Sequence, residues 1–138
     1  MASDNEIAVR RFYQALTTGD PALVDEALAA GWETFPALRT GSGPEGWKGT
    51  IAHLRGAFSD LTTEIEDVVE SGDRVAVRAV TRAKHTGELL GVEGAGDEVE
   101  FRSADFHQMV DGRIVRTWHL EDYFGIARQI GLEFTRGA

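Results

Sequence analysis

At 138 residues the chain is long enough for one domain, 1–138, with its own hydrophobic core, and it has no cysteine, which excludes disulfides, thiolate chemistry and cysteine-based zinc sites. Its net charge of −9 argues against nucleic acid and against an anionic membrane surface, because both are bound through clustered Lys and Arg side chains. The sequence shows neither a signal peptide nor an apolar run of the roughly 20 residues that span a membrane, so we expect a cytoplasmic protein.

The first half of the sequence has the pattern of amphipathic helices. Residues 3–6, Ser-Asp-Asn-Glu, have the spacing of a capping box, and the apolar residues that follow predict a helix ending near Gly19. Asp20-Pro21 predicts the start of a second helix, which should end at Gly31. A third helix is predicted over residues 47–58 from the spacing of its apolar side chains.

Residues 32–48 have the composition of a loop, with two prolines and three glycines, but contain large apolar side chains. Trp32 and Phe35 are the first of these. Apolar side chains in an irregular segment usually fold back over another part of the molecule. We therefore expect Trp32 and Phe35 to cover either the core or a bound ligand, and the sequence leaves both open.

From Thr62 onward the apolar period changes to two, which predicts β-strands. A Gly-rich loop over 87–97 interrupts them, and a short closing helix is predicted over 123–130. Helices followed by long antiparallel strands are typical of an α+β fold, with the helices on one face of a curved sheet. The predicted strands begin at Thr62 and continue over 74–86, 99–110 and 114–120.

The segment from Asp105 to Asp122 is the most informative part of the chain. Its Asp111-Gly112 pair is a strong signal for a two-residue hairpin turn. Such a turn would place His107 opposite Arg116 and Asp105 opposite Trp118. Because side chains alternate along a strand, one face would then carry Asp105, His107, Met109, Ile114, Arg116, Trp118, Leu120 and Asp122. An apolar face with two carboxylates, an imidazole and an indole indicates the lining of a pocket.

His107 and Asp122 are the main candidates for acid–base chemistry in this pocket. Asp105 beside His107 would fix the tautomer of the imidazole and raise its pKa, and the alternative is a hydrogen-bonded histidine of the core. Asp122 is expected either as a carboxylate at the pocket mouth, its pKa raised by apolar walls, or as the N-cap of the last helix. His119 and Glu121 have the opposite parity and are expected on the other face, as surface or subunit-contact residues.

The remaining pocket residues are expected to bind a small hydrophobic or polycyclic ligand. His85, at a strand end, is expected either to join this pocket or to mark the turn into Thr86-Gly87. The sequence has no H-E-x-x-H or His-x-His spacing, no G-x-x-x-x-G-K-[ST] phosphate loop and no nucleophile elbow, so we expect neither a metal nor a cofactor. The expected ligand-contacting residues are Trp118, Trp32, Phe35, Met109, His85 and Arg116.

Six short stretches are spread over nearly the whole chain in a recognisable order. They are VRRFYQAL at 9–16, AFSDL at 57–61, GDRVAVR at 72–78, HTGELLG at 85–91, VEFRSADFH at 99–107 and DGRIVRTWHLED at 111–122. With these stretches the sequence resembles the SnoaL-like polyketide cyclases, also called ester cyclases. The resemblance implies the cone-shaped α+β fold shared with nuclear transport factor two and ketosteroid isomerase, in which helices pack on a curved, mixed or antiparallel sheet that encloses a pocket.

The resemblance also implies a function in secondary metabolism, namely intramolecular aldol-type cyclisation of a polyketide-like carbonyl substrate without metal or cofactor. The acid–base role would fall on Asp122, with His107 and Asp105 as polar neighbours, and a homodimer would form through the outer sheet face. The sequence departs from the family pattern at Thr34 and Phe35, where many members place Asn or His. Non-catalytic ligand binding, and epoxide hydrolysis or isomerisation on the same fold, stay open as alternatives.

Overall fold

The computed structural model describes residues 1–137, and its helices and strands follow one another as expected for an α+β fold. The helices are α1 (Asp4–Thr18), α2 (Pro21–Ala27), α3 (Gly43–Ala57) and α4 (Tyr123–Gln129). The strands are β1 (Leu28–Phe35), β2 (Phe58–Ser71), β3 (Arg74–His85), β4 (Glu88–Leu89), β5 (Val92–Glu93), β6 (Asp97–Val110) and β7 (Arg113–Glu121).

A five-stranded mixed sheet forms the framework of the cone. Its strand order is β1-β7-β6-β3-β2, in which β1 runs parallel to β7 and the other neighbours are antiparallel. Helices α1 and α3 pack on the inner face of this sheet, and the hydrophobic core lies between the two layers. No helix within residues 1–137 is long and apolar enough to cross a membrane.

Helix α1 confirms the predicted first helix and both of its ends. The Ser3 hydroxyl accepts a hydrogen bond of 3.0 Å from the Glu6 backbone N–H, which satisfies one of the free amides of the first turn. Gly19 ends the helix in the left-handed conformation, with φ 76°, where a side chain would be unfavourable. The face between these ends is buried against the sheet.

Strand β1 was not predicted. The second helix was expected to continue to Gly31, but it stops at Ala27, and β1 begins at Leu28. Residues 28–35 pair with β7 and place Leu28 and Trp32 in the core. Backbone pairing along a sheet edge and burial of an indole outweigh the helical preference of Ala29 and Ala30. The predicted loop is correspondingly shorter.

Helix α3 begins at Gly43, four residues before the predicted start at Trp47. Ser42 occupies the N-cap position and Pro44 lies in the first turn, where its missing N–H costs no hydrogen bond. The Gly-rich segment 87–97 contains a short hairpin, β4–β5, which covers the end of the core with Leu89.

Candidate active site

The β6–β7 hairpin turns at Asp111-Gly112, with positive φ at both residues. Val110 pairs with Arg113 as predicted, and Met109 pairs with Ile114. The two strands therefore start in the expected register.

A β-bulge then shifts this register by one residue. Gln108 pairs with Arg116 instead of Val115, so His107 lies opposite Thr117. The predicted partner of His107, Arg116, is therefore wrong. One extra residue in a strand reverses the face of every side chain beyond it.

The bulge exchanges the two predicted faces of β7. Asp105 lies opposite His119, and the predicted partner Trp118 lies opposite Phe106. The expectation that His119 and Glu121 point away from the helices is wrong, because both join Asp105 on the inner face. The residues displaced from the expected pocket face are exposed: Arg116, Trp118, Leu120 and Asp122.

His119 lies between two carboxylates. Its Nδ1 is 2.5 Å from Asp105 Oδ1, and its Nε2 is 2.6 Å from Glu121 Oε2. Asp105 is buried, with 2% of its side chain exposed, whereas 26% of the His119 side chain and 15% of the Glu121 side chain are exposed. The cluster is thus anchored in the core at Asp105 and partly exposed to solvent at His119 and Glu121.

His119 carries a proton at neutral pH. Burial alone would lower its pKa, but hydrogen bonds to Asp105 and Glu121 and attraction to their charges raise the pKa to about 10. The site therefore holds an imidazolium between the side chains of Asp105 and Glu121. Burial and the same two carboxylates also raise the pKa of Tyr123, directly after β7 and the Asp122 cap.

A second row of side chains continues from Asp105 into the core. Tyr13 Oη is 2.5 Å from Asp105 Oδ2 and 2.7 Å from His107 Nε2. His107 Nδ1 is 2.8 Å from Thr117 Oγ1, which accepts a hydrogen bond of 3.0 Å from Trp32 Nε1. Each side chain in this row is buried.

His107 is neutral at physiological pH, contrary to the expectation that Asp105 would raise its pKa. Burial lowers the pKa of His107 to about 4; the Asp105 charge acts in the opposite direction but is outweighed, and the His119 charge lowers it further. Burial and the neighbouring Asp105 raise the pKa of Tyr13. His107 and Asp105 do lie together, as expected, with the Tyr13 hydroxyl between them.

Asp122 does not lie with Asp105 and His107. Its side chain is exposed, and its Oδ1 accepts a hydrogen bond of 2.9 Å from the Gly125 backbone N–H. Asp122 is the N-cap of α4, which was the alternative expectation.

The expected ligand-contacting residues divide between the core and the outer face. Trp32, Met109 and His85 are buried, and the His85 Nε2 has no hydrogen-bond partner among the described residues. Phe35 and Trp118 instead stack on each other on the outer side, with ring centroids 5.8 Å apart.

Arg116 also lies outside the expected pocket. Its guanidinium contacts Gln108 at 3.3 Å and Glu33 at 3.6 Å on the solvent side of the sheet. The β-bulge accounts for its displacement together with that of Trp118.

The described residues offer little to a metal ion. Within residues 1–137 no group of three or more His, Asp and Glu side chains has the arrangement of a metal site. In the cluster described above, both nitrogens of His119 face carboxylate oxygens as donors and have no lone pair for a metal.

The chain was compared with known families and proteins. The model of the family described as SnoaL-like polyketide cyclase matches residues 7–130. The chain belongs to this SnoaL-like family. A relative in Streptomyces galilaeus, aklanonic acid methyl ester cyclase AcmA, is 31% identical over 135 residues, covering 94% of this chain and 92% of the relative. Aklanonic acid methyl ester cyclase DnrD of Streptomyces peucetius is 29% identical, covering 89% and 88%.

Solved structures show the same SnoaL-like fold. TsrD from Streptomyces laurentii superposes with a TM-score of 0.87 at 25% identity, covering 94% of this chain and 96% of that one. IdmH from Streptomyces antibioticus superposes with a TM-score of 0.82 at 27% identity, covering 94% and 100%. The cone expected from the sequence is confirmed.

Two members of this SnoaL-like site, Tyr13 and Thr117, were not singled out from the sequence. Tyr13 shares the buried face of α1 with Val9, Phe12 and Leu16, and a phenol on an apolar helix face usually has a buried hydrogen-bond partner. That signal was available. Thr117 has no comparable signal, because its face depends on the bulge.

Proposed function

We propose that this SnoaL-like protein is an acid–base enzyme that cyclises a polyketide-like carbonyl compound without a cofactor. The observation that carries the proposal is the partly exposed His119 held between Asp105 and Glu121. Family membership and the named activity of AcmA, an aklanonic acid methyl ester cyclase, support the reaction class. The ligand is a small hydrophobic or polycyclic compound of secondary metabolism.

Glu121 is the proposed base. It accepts the His119 N–H through Oε2, and 15% of its side chain is exposed. In an aldol cyclisation Glu121 removes a proton from a carbon flanked by carbonyls, and the C–H electron pair becomes the enolate. The enolate carbon then forms a C–C bond with a second carbonyl of the same molecule. The alkoxide produced takes the proton back, so no oxidant or reductant is consumed.

His119 supplies the positive charge that this reaction needs. Its imidazolium places a positive charge beside Glu121, which offsets the negative charge of an enolate or alkoxide formed there. Asp105, buried on the other side, holds the ring in place through Nδ1. Glu121 therefore takes the acid–base role that was expected of Asp122, and His119 takes the role of polar neighbour that was expected of His107.

The test compares variants of the cluster with a variant of the α4 cap. We expect Glu121→Gln and His119→Gln each to lower kcat by about 100-fold or more, the usual contribution of a general acid or base. Asp122→Asn keeps a good N-cap and should retain full turnover. The measurement is conversion of a panel of polyketide-like carbonyl esters, including aklanonic acid methyl ester, followed by mass spectrometry.

Two outcomes would overturn the proposal. Full turnover in Glu121→Gln together with loss in Asp122→Asn would return the acid–base role to Asp122. Tight ligand binding with no product from the wild type would indicate a binding protein instead of an enzyme.

We also propose that two copies associate through the outer sheet face. Phe106, Trp118 and Leu120 lie side by side there, and Leu120 is 73% exposed. Neighbouring apolar side chains of this size on an exposed sheet are typical of interaction surfaces. A homodimer would cover them.

A further inference from the structure

We propose that His107 is a positioning residue: with Thr117 and Tyr13 it forms a hydrogen-bonded chain of fixed direction that orients Asp105 toward His119. The catalytic use of Asp105 rests on the proposed function. The hydrogen-bonded chain of side chains does not, because the order of its donors and acceptors follows from the structure alone.

His107 is too deeply buried to contact a ligand. Its side chain is 0% exposed, and both ring nitrogens are bonded to other side chains. The Phe12 ring packs against it edge to face, with centroids 5.3 Å apart, and Tyr13 does the same at 5.7 Å. The imidazole can therefore act only through its neighbours.

The Asp105 end fixes the direction of the chain. An ionised carboxylate only accepts hydrogen bonds, so the single hydroxyl hydrogen of Tyr13 goes to Asp105 Oδ2 at 2.5 Å. The Tyr13 oxygen must then accept from His107 Nε2 at 2.7 Å. His107 is neutral, which leaves its Nδ1 without a hydrogen.

The Trp32 end requires the same direction. The indole N–H of Trp32 can only donate, and it donates to Thr117 Oγ1 at 3.0 Å. Thr117 is then free to donate its own hydrogen to the bare Nδ1 of His107, 2.8 Å away. One arrangement of hydrogens satisfies every group from Trp32 to Asp105.

The chain determines how the Asp105 carboxylate is oriented. Tyr13 holds Oδ2, and the other oxygen, Oδ1, faces His119 Nδ1. With one oxygen fixed from the core, the carboxylate cannot rotate away from the imidazolium. His119 is held in turn, and its Nε2 points at Glu121.

The direction can be read by ¹⁵N NMR of the histidine rings in the intact chain, without any substrate. We expect His107 to carry its hydrogen on Nε2 alone and not to titrate between pH 5 and 8, in line with a pKa of about 4. A hydrogen on Nδ1, or titration of His107 within that range, would overturn the proposal.

Substitution of Thr117 tests whether a change at one end of the hydrogen-bonded chain alters His119 at the other. Thr117→Val keeps the shape and removes the hydroxyl, so Nδ1 of His107 loses its donor. We expect the ¹⁵N signals of His107 and also the downfield Nδ1–H signal of His119 to shift. Thr117→Ser restores the hydroxyl and should restore both sets of signals. A shift confined to His107 in Thr117→Val would overturn the proposal.

Thr81→Val is the matched control. Thr81 is a buried threonine on the same inner face, and its hydroxyl pairs with that of Thr63 at 2.9 Å, outside the chain. We expect both histidines to be unchanged in this variant. Equal shifts in Thr81→Val and Thr117→Val would indicate general repacking and overturn the proposal.

Activity measurements separate positioning from binding. We expect Thr117→Val to lower kcat about fivefold, the worth of one ordinary hydrogen bond, with KM nearly unchanged. Thr117→Ser should recover most of the loss. Since the NMR signals need no turnover, failure of the proposed reaction would leave the NMR result intact and is thus distinguishable from failure of the chain.

Discussion

His107 and His119 lie on the same face of the sheet but differ in charge at neutral pH: His107 is neutral and His119 is protonated. Desolvation dominates at His107, whose ring is bonded to two hydroxyls, and lowers its pKa to about 4. At His119 two carboxylates overcome desolvation and raise the pKa to about 10. Environments that push equivalent groups apart in pKa are typical of acid–base sites.

These two histidines predict how stability depends on pH. Between pH 4 and 6.5 the unfolded chain protonates His107 and the folded chain does not, so stability rises with pH. Between pH 6.5 and 10 the folded chain retains the His119 proton that the unfolded chain loses, so stability falls. We expect the free energy of unfolding in urea to be greatest near pH 6.5.

His119→Gln isolates the alkaline part of this profile. The variant should lose the decrease between pH 6.5 and 10 and be less stable than the wild type at pH 7, because two carboxylates are left without their cation. His53→Gln removes an exposed histidine of α3 and should keep the wild-type profile. An unchanged alkaline limb in His119→Gln would contradict the assigned charge state.

At the scale of elements, the hairpin illustrates what the sequence can predict. The turn at Asp111-Gly112 and both strands follow from local chemistry, since turn residues and alternating apolar positions are sequence signals. The bulge beyond the turn has no such signal. It depends on which face of β7 packs against α1, so His119 and Glu121 could not be placed on the inner face from their parity.

Strand β1 is a second element that local sequence signals could not predict. Residues 28–35 contain two alanines, which locally favour helix, and a glycine, which favours neither helix nor strand, while the partner strand β7 begins only at Arg113. Long-range pairing decides the conformation there. Helix α1 could be predicted because its cap, its apolar stripe and its terminal glycine are all local.

Helix α4 has only seven residues, so we expect its stability to depend on the Asp122 cap. Asp122→Ala should lower the free energy of unfolding by about 1 kcal/mol, the usual cost of losing an N-cap. Asp122→Asn should lower it much less. Chemical denaturation of the three proteins at one pH measures this, and equal stabilities would contradict capping.

At the scale of the whole molecule, the outer sheet face is divided into an apolar and an ionic half. The β3 side carries paired charges, such as Arg82 with Glu100 at 3.0 Å and Lys84 with Asp60 at 3.4 Å. The β7 side carries Phe106 at 61% exposure beside Trp118. A partner surface is therefore expected over β6 and β7.

Leu120→Asp tests the proposed homodimer. We expect the wild type to sediment as a dimer at micromolar concentration and Leu120→Asp as a monomer, because a carboxylate would be buried in the apolar half of the interface. Leu90→Asp, at the exposed β4–β5 turn, is the control and should remain dimeric. A monomeric wild type would contradict the proposal.

The β-bulge decides which face of β7 carries the chemistry of this site, because it sets which β7 residues lie opposite Asp105 and His107. If the same residues paired without a bulge, Val115 would lie opposite Gln108, and Trp118 and Leu120 would face inward in place of His119 and Glu121. Deleting Val115 would remove the bulge but leave Arg116 opposite Gln108 and His119 opposite Asp105, so the site residues would keep their face. In related chains, equivalent site residues are found by counting back from the N-cap of α4, not forward from the hairpin turn.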